Sequence, residues 1–86
     1  MIRAAICDDE NTILDYLYEH ISREFERQKA DVHIDKYSSG NEFLNFHKAK
    51  PYDVVFLDID MPEISGFDVA EKISEKALII FVTTHD

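Results

Sequence analysis

Apolar runs of two kinds alternate along this chain. The first kind is short, continuous and stopped by polar residues. Ile2 to Cys7 is apolar apart from Arg3 and ends abruptly at Asp8-Asp9-Glu10. Val54-Val55-Phe56-Leu57 ends at Asp58, and Leu78 to Val82 ends at Thr83-Thr84. Runs of this length bounded by charge predict strands, and apolar residues on both faces predict central parallel ones.

The second kind recurs at spacings of three and four. Ile13, Leu14, Leu17, Tyr18, Ile21 and Phe25 predict a helix from Asn11 or Thr12 to about Gln28, with Asn11 or Thr12 as its cap. Glu19, Arg23, Glu26 and Arg27 fall on its other side. Ser39 followed by Glu42 is a capping-box pattern that opens a shorter helix anchored by Phe43, Leu44 and Phe46 and closed by Pro51. Val69, Ala70 and Ile73 give a third helical stripe. Between the first two helices, Val32, Ile34 and Lys36 alternate with His33 and Asp35, the signature of a half-exposed strand near a sheet edge.

Strand and helix therefore repeat in the order expected of an open, mostly parallel α/β sheet. The 86 residues make one domain at most. In such a sheet, ligands bind beyond the C-terminal ends of the strands. Those ends carry Asp8 and Asp9, then Asp58, then Thr83. Adjacent carboxylates repel, and a hard divalent cation offsets the repulsion; magnesium suits oxygen donors. Asp58 could serve as both ligand and nucleophile, forming an aspartyl phosphate, with Thr83 donating to a phosphoryl oxygen. Each aspartate also has a plain reading as a strand terminator or helix cap. Spacing does not separate phosphorylation from simple cation binding.

Composition narrows the classes. The chain is 45% hydrophobic and 31% charged, an ordinary globular mixture rather than a disordered one. Its net charge of -9 repels a nucleic-acid backbone, so no direct nucleic-acid binding is expected of this segment. Cys7 is the one cysteine and reads as a small buried residue in a reducing compartment. No stretch has the length of a membrane span or the form of a signal peptide, and a cytoplasmic location is expected. His20, His33, His47 and His85 lack metal-ligand spacing, and His20 and His47 read as surface or boundary residues. Met61-Pro62 reads as a turn, and Gly66 as either an unusual backbone angle or close packing in the same loop.

The strings ICDDE, FLDIDMPEISGFDVA and IIFVTTHD together resemble the response-regulator receiver family over all 86 residues. The resemblance implies a CheY-like, flavodoxin-like fold and a phosphoacceptor module of a two-component system. It implies that Asp58 accepts a phosphoryl group from a sensor histidine kinase with Mg2+ as cofactor. Asp9 would ligate the metal directly, Asp8 through water, and Asp60 through its backbone carbonyl. Thr83 would sense the phosphoryl group, with Thr84 beside it controlling access. Met61, Pro62 and Gly66 would shape the loop. Such domains promote their own phosphorylation and dephosphorylation without being conventional enzymes. The DDE start and VTTHD ending look like receivers attached to LytTR-type DNA-binding domains, which would place transcription regulation in a longer parent.

The family fold has five βα units, and this sequence covers four strands without the last helix. It is therefore expected to be the N-terminal part of a single receiver domain. The strand from Leu78 to Val82 would lack a neighbour, so a homodimer or domain swap through residues 78–82 is one expectation. A non-catalytic module that self-associates there is the competing function. A phosphatase using Asp58-Ile59-Asp60 is a more distant one.

Overall fold

The computed structural model describes residues 1–73 and 77–82. Strands β1 (Ile2–Cys7), β2 (Val32–Tyr37), β3 (Val54–Asp58) and β4 (Leu78–Val82) alternate with helices α1 (Asn11–Arg27), α2 (Gly40–Ala49) and α3 (Gly66–Ile73). The sheet order is β2-β1-β3-β4, and every neighbouring pair is parallel. This is the open α/β sheet with βα topology of the flavodoxin-like class.

The order has one functional consequence. From β1 the chain crosses to β2 on one side, then returns to β3 on the other. The crevice at this reversal lies beyond the C-terminal ends of β1 and β3. Cys7 pairs with Leu57, so Asp8 and Asp58 follow side by side.

Burial follows the apolar pattern. β3 is buried along nearly its whole length, as its unbroken run requires. Helices α2 and α3 cover the face bearing Ala5, Cys7, Val55 and Leu57, with Phe43, Val69 and Ile73 inserted between. On the opposite face, Ile21 and Phe25 of α1 line a shared hollow with Phe56. β2 lies at the sheet edge, as its alternation predicts. β4 has no second neighbour among the described residues, and Leu78 is 64% exposed. Phe81 of β4 rests against Phe67 of α3, ring centroids 5.1 Å apart.

Three local expectations give way. The N-cap of α1 is Glu10, not Asn11 or Thr12; Asn11 is already helical. Glu10 supplies no capping side chain; instead its own N–H donates to Asp8 Oδ1 at 2.9 Å. Phe46 is not an anchor of α2 but half-exposed at the β2 edge. His47 takes the interior place one residue on, buried beside Phe43 and Tyr52. Its Nδ1 accepts the Tyr52 N–H at 3.1 Å. The predicted cap of α2 holds, because Ser39 Oγ accepts the Glu42 N–H at 3.3 Å.

Candidate functional site

Two apolar strands deliver the site. β1 is buried over its last four residues and β3 everywhere but at the half-buried Phe56. Each leads into an aspartate, and strand pairing fixes the two ends level with each other. Asp8 and Asp58 are both almost completely buried, whereas Asp9 is exposed. One carboxylate oxygen from each of Asp8, Asp9 and Asp58 lies within 4.8 Å of the other two. Unit charges at that separation repel by about 3–4 kcal/mol per pair at an effective dielectric constant of about 20. Asp8 is fixed from both ends: its N–H donates to Tyr37 O at 3.0 Å, and its Oδ1 accepts from Glu10.

The donor set fits a small hard cation. All three donors are carboxylate oxygens gathered within 4.8 Å of one another, and magnesium takes oxygen ligands. The arrangement leaves Asp9 open to solvent, where retained waters would complete the shell.

The loop between β3 and α3 is tightly held. Asp60 is exposed, and its side chain stands outside the three-carboxylate cluster. Met61 is half-buried, and Cys7 Sγ donates to its Sδ at 3.7 Å. Pro62 O accepts the Ile64 N–H at 2.7 Å around Glu63, whose φ is 69°. An i→i+2 bond around a positive φ is the strained form of γ-turn. Gly66 N–H then closes the loop on Ile59 O at 2.8 Å. Of the two readings of Gly66, close packing is the observed one, since no described glycine has a positive φ. A Cβ on Gly66 would sit 2.2 Å from the Asp58 carbonyl oxygen.

Cys7 touches this site from beneath. Burial, followed by the charges of Asp8 and Asp58, pushes its thiol up to about 12. It stays protonated and inert, a packing residue and not a nucleophile.

Thr83, Thr84 and His85 lie outside the described residues. Sequence reasoning missed other residues near the loop. Gly40, the first residue of α2, is buried against Ile64, Val69 and Met61. Behind them, Tyr52 donates to Asp35 Oδ2 at 2.5 Å and its hydroxyl also meets that of Tyr37. The Arg3 guanidinium lies 4.6 Å from the Tyr52 ring centroid. The i,i+4 spacing of Phe43 and His47 was the available signal for a buried histidine.

Comparisons with known proteins agree with this geometry. The sensory transduction protein LytR of Staphylococcus saprophyticus is 40% identical over 91 aligned residues, covering 99% of this chain and 33% of LytR. The chain thus spans about a third of that relative's length. The crystal structure of response regulator protein TrrA from Thermotoga maritima, in complex with Mg2+-BeF, superposes with a TM-score of 0.83 at 37% identity. That alignment covers 100% of this chain and 72% of TrrA. A CheY-like receiver domain from Methylobacillus flagellatus shares the fold at a TM-score of 0.79 and 19% identity, over 99% of this chain and 71% of the other. No described helix is long and apolar enough to cross a membrane. The family described as response regulator receiver domain matches residues 4–86, from the first buried strand onward, and the chain belongs to that family.

Proposed function

We propose that this chain is the phosphoacceptor module of a two-component system and that Asp58 accepts the phosphoryl group. The observation that carries the reading is the convergence of Asp8, Asp9 and Asp58 at the switch point of a parallel sheet. Asp58 ends a buried strand, so its carboxylate is held in one place before any substrate arrives. Asp8 and Asp9 would hold magnesium together with Asp58, the backbone carbonyl of Asp60 adding a further oxygen. The bound metal would neutralise charge on the transferring phosphoryl oxygens. The Mg2+-BeF complex of the Thermotoga relative supports this, since beryllium fluoride has the tetrahedral shape of a phosphoryl group.

The reaction follows from the donor's chemistry. An Asp58 carboxylate oxygen attacks phosphorus, and the bond from phosphorus to the kinase's histidine nitrogen breaks with its electron pair on that nitrogen. The product is a mixed anhydride, stable in acid and labile in base. The Thr83 hydroxyl would donate to one of its oxygens. Met61, Pro62 and Gly66 would shape the loop so that the Asp60 carbonyl could serve a bound metal. The partner is a sensor histidine kinase. The output is a LytTR-type DNA-binding domain of a longer parent, a reading supported by the 40% identity to LytR and by the DDE and VTTHD strings. Residues 1–86 are then the N-terminal part of one receiver domain working in the cytoplasm.

The site is checked by chemical trapping. Borohydride reduces an acyl phosphate to an alcohol, so the phosphorylated chain should yield a homoserine at position 58 on peptide sequencing. Reduction at another aspartate would overturn the assignment. A second reading, self-association through residues 78–82, is favoured by the exposure of Leu78, Ile80 and Phe81. It predicts a dimer indifferent to magnesium, and sedimentation showing only monomer at high concentration removes it.

A further inference from the structure

Gly40 sits where α2 begins and is not itself part of the acidic site, yet it has almost no free space around it. A Cβ built there would lie 2.7 Å from Ile64 Cγ2, 3.0 Å from Val69 Cγ2 and 3.4 Å from Met61 Cε. Ile64 and Met61 both belong to the loop that follows Asp58. The Ile64 atom concerned branches directly from Cβ, and such side chains are stiff at χ1. It cannot swing aside as the tip of a long side chain would. Its backbone is also tied, through the bond from Ile64 N–H to Pro62 O across the strained turn at Glu63. A further bond, from Asn41 Nδ2 to Glu63 Oε2 at 3.4 Å, runs from α2 to the same turn.

The other end of the loop has no slack either. Gly66 lies against the Asp58 carbonyl and bonds to Ile59 O. A push on Ile64 is therefore passed back to residues 58–60 and not absorbed. We infer that Gly40 is a positioning residue for the acidic site: its bare Cα seats Ile64 and Met61, and that seat holds the 59–66 loop, and with it Asp58 and Asp60, in register with Asp8 and Asp9. The inference rests on the Asp58 reading above and extends it to α2, whose N-terminus becomes a fixed support for the phosphoryl-accepting loop. It also explains why the strained turn persists: the seat on α2 and the Gly66 closure over-determine it.

The test uses the full chain with a small-molecule phosphodonor, and measures the rate of phosphoryl uptake and the magnesium affinity beside thermal denaturation. Wild type, Gly40→Ala, Ile64→Ala and the double variant are compared. Gly40→Ala should slow uptake about tenfold and weaken magnesium binding, the scale expected when a reacting group is displaced by a fraction of an ångström. Ile64→Ala, which empties the seat, should also slow uptake. In the double variant the alanine methyl occupies the vacated space, and uptake should recover most of what Gly40→Ala lost. A purely structural role would shift the melting midpoint and leave the rate of the folded fraction unchanged, which overturns the inference. A double variant no faster than Gly40→Ala overturns it too. If Gly40→Ala does not fold, a folded Ile64→Ala with wild-type uptake and magnesium affinity is the overturning result. A wild type that accepts no phosphoryl group removes the Asp58 reading and this inference together, whereas an active wild type with equally active variants removes this inference alone.

Discussion

The Cα of Gly66 is pressed against the backbone of Asp58, so closely that a methyl group there would stand 2.2 Å from the Asp58 carbonyl oxygen. The first residue of α3 and the last residue of β3 are thus in direct backbone contact. The turn between them doubles back through Met61 and Pro62, and the Gly66 N–H bonds to Ile59 O. The aspartate is held by the strand on one side and by this closure on the other.

Gly66→Ala should therefore be costly in both stability and binding. The atom it meets is backbone, which cannot rotate away, so the loop itself must move. A loss of about 2–3 kcal/mol is expected, the upper part of the range for overpacking. Urea denaturation reads it directly, and magnesium affinity should fall in the folded fraction. A variant as stable as wild type would mean that the close approach is relieved at little cost.

Asp8→Asn should do the opposite to stability. Asp8 is buried within 4.8 Å of two other carboxylates. Removing its charge relieves repulsion, while the amide oxygen still accepts the Glu10 N–H. In magnesium-free buffer the variant should be about 1–2 kcal/mol more stable than wild type, a fraction of the Coulomb cost after screening. In excess magnesium the order should reverse, because wild type gains binding energy that the variant lacks. Equal response of both chains to magnesium would remove Asp8 from the metal site.

His47 gives a pH dependence with a definite sign. Burial lowers its pKa below 6.5, favouring the neutral ring. Its Nδ1 also accepts the Tyr52 N–H, a bond that protonation would abolish. Because the folded pKa lies below the unfolded one, the unfolded chain binds more protons. The stabilisation is fully present above pH 6.5 and is lost as pH falls from there through the folded pKa. His47→Asn keeps an acceptor near the Nδ1 position and removes the titration. Its denaturation midpoint should change less between pH 7 and 5 than that of wild type. Parallel pH profiles for the two chains would contradict the assignment.

The parts of the fold that were legible in the sequence are those written in simple patterns. Apolar runs ending in Asp8 and Asp58 gave the two strands that build the site, because a buried parallel strand tolerates no polar residue until it reaches the sheet edge. The alternation from Val32 to Lys36 marked an edge strand, and Ser39 with Glu42 marked a helix start, each from a local rule. What was hidden depends on contacts between distant segments. His47 reads in the sequence as a surface or boundary residue, yet the helix turns it inward and Tyr52 supplies its hydrogen bond from five residues on. Phe46 was read as an anchor from hydrophobicity, yet it falls one position off the buried face. Asn11 and Thr12 looked like caps, but the Asp8 side chain satisfies the Glu10 N–H just before the helix and the helix starts early. The seat at Gly40 has no local signal, since its partners Ile64 and Met61 lie on another segment.

The central claim is that Asp58, with Asp8 and Asp9 beside it, accepts a phosphoryl group in a magnesium-dependent reaction. Intact-mass spectrometry after incubation with acetyl phosphate tests it most directly, with magnesium-free and Asp58→Ala samples run in parallel. The account predicts a single added phosphoryl group in wild type with magnesium and none in either control. The same mass gain in a folded Asp58→Ala chain, or none in folded wild type with magnesium present, would contradict it.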